Sequence, residues 1–257
     1  MAAGRLDGRG ILITRPARQA AGLAEVIASI GGVPLIFPAI VILPPADRQE
    51  LDRVQQELAT YDFAVFVSGN AVEYGIADAK SWPKTLRVFA PGMGTASALV
   101  ALGLPDVRTP TSSMDSEGLL ALPELNDVAG KRGVIFRGRG GRELIARTLA
   151  ARGADIDVVE CYVRARPEAS AAGLAEALKA GRVDATTFTS REGADNLWSM
   201  LDAAARADFA SLPCFVPHAR IAERAHSLGI ADVVVTSSSD AGLIASLLGY
   251  FNRRENG

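Results

Sequence analysis

Cysteine and histidine are scarce in this chain: Cys161 and Cys214 are the only thiols, and His218 and His226 the only imidazoles. No Cys-x-x-Cys or other stapling spacing is present, so a disulfide framework is excluded and a reduced cytosol is the expected compartment. Two histidines argue against a His-rich metal site and against a Ser-His-Asp triad, and no metal is expected. No apolar run approaches the ~18 residues of a membrane span. The opening MAAGRLDGRGILITRP has only the short run Ile11–Thr14 before Arg15, too little for a signal-peptide core. Blocks of like charge are missing too. Lys+Arg 27 against Asp+Glu 29 leaves a net charge of −2, which argues against a nucleic-acid partner.

What is present is ordinary globular material: 257 residues, 49% hydrophobic and 22% charged. That length predicts two domains or one large one, with ample core and no disorder. The chain is also written twice. ILIT, a loop, AAGLAEVIASIGG and VPLIF read as strand, helix, glycine cap and strand, and GVIF, RGRGG, RELIARTLAARGA and DIDVV echo them from Gly133. Gly32 and Gly153 are the expected left-handed closures of the two helices. FAVFVSGNAVEYG pairs with ATTFTSREGADNLW, placing Ser68 and Ser190 just past apolar strands. At a constant offset of 126, Pro91 pairs with Pro217, Ala96 with Ala222, Leu102 with Leu228, Gly103 with Gly229 and Val107 with Val233.

Each copy therefore reads as about five short strands alternating with helices. Ile11–Thr14, Phe63–Val67, Val134–Arg137, Asp184–Thr189 and Val233–Thr236 are apolar nearly throughout, as strands covered on both faces are. The expected fold class is α/β, with two doubly wound, flavodoxin-like domains built on parallel sheets. Pro-marked stretches after the second strand of each copy (Phe37–Pro45 and Cys161–Pro167) read as a pair of connectors between domains. Taken alone, the repeat suggests a tandem division near Gly130.

Ligands of open parallel sheets bind beyond the carboxyl ends of the strands. The polar residues predicted there are Thr14-Arg15, Ser68-Gly69-Asn70, Gly92 to Thr95, Thr111 to Ser113, Arg137 to Arg142, Thr189 to Arg191, His218 to Arg220 and Thr236 to Ser239. Nearly all are hydroxyls, glycines or arginines, and many precede a helix, whose free N–H groups receive carboxylates or phosphates. Arg137-Gly138-Arg139-Gly140-Gly141-Arg142 lacks the third glycine of a dinucleotide loop, because Glu143 stands there, and it lacks the Gly-Lys-Ser/Thr of a phosphate loop. It reads as an anion-binding turn or as a solvated loop.

Structural readings accompany each candidate. Thr95, Ser68 and Ser190 suit helix N-caps, and Asp115-Ser116-Glu117 suits a capping cluster better than a catalytic carboxylate pair. His218 reads as a polar turn residue or a base, His226 as a surface residue. Tyr162, in the second connector, would face the cleft of any two-domain closure, either packing there or serving as a hydrogen-bond donor and general acid.

Eight motifs in order then carry a resemblance. They are Thr14-Arg15-Pro16 with Gln19-Ala20; Phe66 to Val72; Gly92-Met93-Gly94-Thr95-Ala96; Asp115 to Leu120; Arg137 to Arg142; Tyr162-Val163-Arg164 before Pro167; Phe188-Thr189-Ser190; and Arg220-Ile221-Ala222 before Ala225 and Gly229. In this order the chain resembles the uroporphyrinogen-III synthases of tetrapyrrole and haem biosynthesis. The resemblance implies an enzyme that closes hydroxymethylbilane, a linear tetrapyrrole with eight carboxylates, while inverting the last pyrrole through a spiro intermediate and losing water. No cofactor is implied. It also implies a redistribution of the repeats into residues 1–37 with 167–257, and residues 44–161, joined by antiparallel connectors 38–43 and 162–166.

By the same resemblance Tyr162 assists departure of the hydroxyl. The strand-end residues expected to meet such a substrate are Thr14, Arg15, Ser68, Asn70, Gly92, Thr95, Arg137, Gly138, Arg139, Gly140, Arg142, Ser190, His218 and Arg220. Where some relatives carry a Gly-Pro-Thr-Thr-Ala-like segment, this chain has Pro217-His218-Ala219-Arg220-Ile221-Ala222. There Arg220 or backbone N–H groups take the place of a threonine contact. A monomer is expected, since no long apolar stripe is left beyond the sheet-packing helices. Two rivals come from the residues alone: a non-catalytic two-lobed binder of polycarboxylates or tetrapyrroles, which hinge closure suits, and a nucleotide-dependent enzyme, against which the incomplete glycine motifs speak.

Overall fold

The computed structural model describes residues 6–76 and 82–255. In chain order the elements are β1 (Gly10–Ile13), α1 (Ala17–Ser29), β2 (Val33–Ile36), β3 (Val41–Leu43), α2 (Gln49–Gln56), β4 (Phe63–Phe66), α3 (Gly69–Gly75), β5 (Arg87–Phe89), α4 (Met93–Ala101), β6 (Val107–Arg108), α5 (Ser116–Leu120) and α6 (Pro123–Asn126). There follow β7 (Arg132–Gly138), α7 (Leu144–Ala151), β8 (Asp155–Ala165), α8 (Ala172–Lys179), β9 (Ala185–Thr187), α9 (Arg191–Met200), α10 (Ala203–Ala210), β10 (Cys214–Val216), α11 (Ala219–Ser227), β11 (Val233–Val235) and α12 (Asp240–Glu255). The chain forms two compact units, one from Met1–Val41 with Ala165–Gly257 and one from Ile42–Arg164. Among the described residues no helix is long and apolar enough to cross a membrane.

The first unit carries a five-stranded sheet in the order β11-β10-β9-β1-β2, and its strand pairs are parallel. The second carries six strands in the order β3-β8-β7-β4-β5-β6. The repeat explains both orders. Its first strand–helix–strand copy supplies β1 and β2, its echo β7 and β8. Apart from β3, an added edge strand beside β8, the remaining strands are β4, β5, β6 in one copy and β9, β10, β11 in the other. In space β2-β1-β9-β10-β11 matches β8-β7-β4-β5-β6, so both sheets have the flavodoxin order. The second reaches it by circular permutation. Gly130 is thus no boundary: its N–H bonds the Gly153 carbonyl at 2.8 Å, within the second unit. Residues 38–43 and 162–166 are largely built into strands, Val41–Leu43 as β3 and 162–165 as the end of β8, with β3 and β8 as sheet neighbours.

Alternate residues of each central strand feed different cores, as a strand covered on both faces requires. Ile11 and Ile13 join Leu23, Ile27, Phe215, Leu247 and Phe251, whereas Leu12 joins Leu178, Phe188, Leu197, Phe209 and Val216. In the second unit Phe63 and Val65 pack with Ile135 and Leu149, while Ala64 and Phe66 face Phe136, Val159 and Tyr162. Phe66 and Phe136 stack with centroids 4.6 Å apart. Helix α1 buries Ala20, Leu23, Ala24 and Ile27, the i, i+3, i+4, i+7 stripe of an amphipathic helix. Gly31 (φ 83°), not Gly32, takes the left-handed position after α1, and Gly153 (φ 87°) takes it after α7. Gly32 occupies the place of Ala154 in the echo, one residue beyond the turn.

Candidate functional site

The polar residues at the carboxyl ends of β4, β7 and β8 come together in the second unit. Ser68 caps α3, its Oγ accepting from the Ala71 N–H at 3.1 Å, and the same Oγ lies 3.1 Å from Tyr162 Oη. A serine hydroxyl has one proton and two lone pairs. With one lone pair taken by the Ala71 N–H, Ser68 can donate to Tyr162, which leaves the phenolic proton free for a third group. The Tyr162 ring is only 6% exposed and lies beside Tyr74, whose hydroxyl donates to the Ile42 carbonyl at 3.0 Å. Tyr162 is therefore a packed member of the second unit's core, more enclosed than a bare connector residue.

Gly138 explains the ring's position. A Cβ there would stand 2.6 Å from Tyr162 Cε2 and Cζ. The two residues meet across a register irregularity at Arg137/Gly138, where β7 pairs with β8. The Gly-rich loop beyond is organised from within: Arg137 donates to the Gly141 carbonyl at 3.2 Å, and Gly140 turns at φ 69°. Glu160 of β8 accepts from the Gly140 N–H at 3.2 Å. Arg137 is largely buried and Arg139 exposed. Arg142 is exposed, and its charge reaches Asp115. Asp115 caps α5 through the Gly118 N–H at 2.7 Å, and its carboxyl is held below the usual range by the Ser113 hydroxyl first and the Gly118 N–H next. Gly92 is the cap residue of α4, so Thr95 sits inside that helix's first turn, 8% exposed, rather than at the cap. Asn70 lies in the first turn of α3.

In the first unit the sequence candidates fall at the ends of β1, β9 and β10. Thr14 is 2% exposed, and its hydroxyl donates to the Thr187 carbonyl at 2.6 Å. That hydroxyl ties β1 to the end of β9. Arg15 is held bidentately by Asp240 at the start of α12, both bonds 2.8 Å, and hydrogen bonding from Arg15 holds the Asp240 carboxyl below its usual range. A small hollow of ≈50 Å³ is lined here by Arg15, Thr189, Thr236, Ser237, Ser239 and Asp240. Ser190 caps α9 through the Gly193 N–H at 3.0 Å. His218 stands at the cap position of α11 without a side-chain cap bond, and both it and Arg220 are exposed.

Sequence reasoning passed over Asp240, which holds Arg15, and Glu160, which faces Arg137 at 3.5 Å. Asp240 had one usable signal, since Ser239 beside it repeats the capping role of Asp115 and leaves the next acid free. Among the described residues no three His, Cys, Asp or Glu side chains gather as metal ligands.

Comparison with known proteins converges on one family. The family model described as Uroporphyrinogen-III synthase HemD matches residues 21–245. The chain is 36% identical to the uroporphyrinogen-III synthase of Salmonella typhimurium over 239 residues, covering 90% of this chain and 96% of that one. Against the Escherichia coli enzyme of the same name the identity is 34%, with the same coverage of 90% and 96%. The fold is also that of solved structures. A mutant uroporphyrinogen III synthase from the extremely thermophilic bacterium Thermus thermophilus superposes with a TM-score of 0.57 at 19% identity over 96% of this chain and 98% of that one. The synthetase of Helicobacter pylori gives 0.59 at 13% identity over 94% and 99%. Eight ordered motifs, a doubly wound pair of units and relatives matched nearly end to end agree: this chain belongs to the uroporphyrinogen-III synthase family.

Proposed function

We propose that this chain is a uroporphyrinogen-III synthase, acting on hydroxymethylbilane in tetrapyrrole and haem biosynthesis. The observation that carries this reading is the family match, which spans residues 21–245 and therefore both units. The reaction breaks the C–O bond of the hydroxymethyl group, and the departing oxygen takes a proton and leaves as water. The resulting azafulvene cation is attacked by the substituted carbon of the last pyrrole, giving a spiro intermediate that fragments and recloses with that ring inverted. Loss of a proton restores the aromatic pyrrole. No electrons are exchanged, so the chemistry calls for no redox cofactor.

Tyr162 is the group assigned to the departing hydroxyl. Ser68, donating to the phenol oxygen, would leave the Tyr162 proton directed at substrate. A phenol of ordinary pKa ~10 is a weak acid, and the bilane can also close by itself. Catalysis here is chiefly positioning, favouring the inverting attack over simple closure. Arg137, Arg139, Arg142, Arg15 and Arg220, with the N–H groups of the helix first turns near Gly92, Asn70, Ser190 and His218, supply donors for the substrate carboxylates. Each shielded contact to a charged group is worth about 1.5–3 kcal/mol, so a few suffice. The chain acts as a monomer in this reading, which gel filtration checks.

The deciding experiment supplies freshly generated hydroxymethylbilane with and without the purified protein, then oxidises and separates the ring isomers. Predominantly type III product is expected. Type I product at the uncatalysed rate would overturn the reading.

A further inference from the structure

We infer that Glu160 is a resident carboxylate occupying a carboxylate receptor of the Gly-rich loop, and that a carboxylate of the tetrapyrrole displaces it. The inference rests on the function proposed above and deepens it. Three donors converge on this one side chain: the Gly140 N–H at 3.2 Å and Arg137 Nη2 at 3.5 Å on Oε1, and Arg139 Nε at 3.7 Å on Oε2. A backbone N–H flanked by two guanidiniums is the donor set that a carboxylate selects.

The occupant is loosely held. Glu160 is 37% exposed and Arg139 60%, and only the Gly140 contact is within hydrogen-bonding distance. The receptor itself is firmer. The Arg137 side chain is only 14% exposed, it is anchored on the Gly141 carbonyl, and its buried Nε has no hydrogen-bond partner.

The surroundings suit an acid borne on an apolar ring. Ile156 and Val158 precede Glu160 on the same face of β8, by the two-residue period of a strand. With Ala146, Ala150, Arg137, Arg147 and Glu143 they line an open hollow of ≈270 Å³. A pyrrole acid side chain can give its carboxylate to the Gly140 N–H and the two guanidiniums while its carbon chain lies over Ile156 and Val158. Glu160 then swings to water, at little cost because an exposed ion pair is weak.

The test uses uroporphyrin III, a stable ring with eight carboxylates, and its octamethyl ester, with fluorescence titration of the wild-type protein and Glu160→Gln. Removing the competing charge is expected to tighten porphyrin binding roughly three- to fivefold and leave the ester unchanged. With hydroxymethylbilane the same variant is expected to lower KM. Arg139→Gln, at an exposed position, is expected to weaken porphyrin binding and to abolish the gain when combined with Glu160→Gln. Equal or weaker binding by a folded Glu160→Gln protein would overturn the displacement, as would failure of both proteins to bind the porphyrin. If Glu160→Gln does not fold, Glu160→Ala, which removes the competing carboxylate altogether, takes its place. The porphyrin titration is independent of turnover, so failure of the cyclase assay and failure of this inference are separable.

Discussion

Tyr162 Oη and Ser68 Oγ stand 3.1 Å apart although 94 residues separate them in the chain. The contact links the capping residue of α3 to the end of β8, and no local sequence rule sets it. It gives the phenol a hydroxyl partner within its own unit.

Tyr162→Phe removes one neutral hydrogen bond and keeps the ring's packing. A loss of about two- to tenfold in the rate of type III product is expected, on the scale of ~0.5–1.5 kcal/mol for such a bond. Isomer-resolved kinetics check it. Complete inactivity in a folded protein would show that the phenol, rather than positioning, dominates the chemistry.

Gly138→Ala is expected to be worse for activity than Tyr162→Phe. The added carbon meets Tyr162 Cε2 and Cζ at 2.6 Å, so the ring or β7 must shift. Overpacking of this kind costs about 1–3 kcal/mol. Urea denaturation measures the stability loss, and the same kinetics measure the rate.

The opposite end of the second sheet carries a polar cluster with a defined pH signature. Asp157 accepts from Tyr61, and Arg132 Nη2 (3.1 Å) and Arg53 Nη2 (3.3 Å) stand beside it. Burial pulls the Asp157 carboxyl up, but the bonds from Tyr61 and Arg53 outweigh it and leave its pKa lowered. Its contribution to stability is therefore present above the ordinary carboxyl range and is lost as pH falls through the lowered value. Tyr61 is shifted the other way, upward, by burial first and the Asp157 bond next. Its contribution is present below the ordinary tyrosine value of ~10 and is lost as pH rises through the raised one. Asp157→Asn should flatten the acid limb of a stability–pH curve and cost about 1–3 kcal/mol at neutral pH. Tyr61→Phe should flatten the alkaline limb. A curve whose limbs are unmoved by either substitution would refute the assignment.

Both cysteines should resist thiol reagents in the native protein. Burial pushes the thiols of Cys161 and Cys214 up to about 12, leaving almost no thiolate at neutral pH. Titration with a chromogenic disulfide is expected to be slow in buffer and to reach both thiols promptly in denaturant. Rapid modification of the folded chain would contradict this placement.

Much of this protein was determined by its sequence alone. Apolar β-branched runs alternating with amphipathic helices made a doubly wound α/β fold unavoidable, because strands buried on both faces need helices on both sides. The capping roles of Ser68, Ser190 and Asp115 follow from a short hydroxyl or carboxyl just before a helix, and the closure at Gly153 from its freedom at positive φ. These are decided within a few residues. The adjacent glycines Gly31 and Gly32 offer the same freedom, and only the turn's hydrogen bonds choose Gly31 over the expected Gly32. Tertiary structure decided the rest. The pairing of β1 with β9 and of β7 with β4 combines half of each repeat with half of the other, a choice made by backbone hydrogen bonds between strands remote in sequence. It turned Thr14 into a tie to Thr187, gave Arg15 to Asp240 across 225 residues, and brought Glu160 to the Gly-rich loop. A residue type shows what a side chain can bond. Which partner it meets depends on contacts that exist only once the sheets have formed.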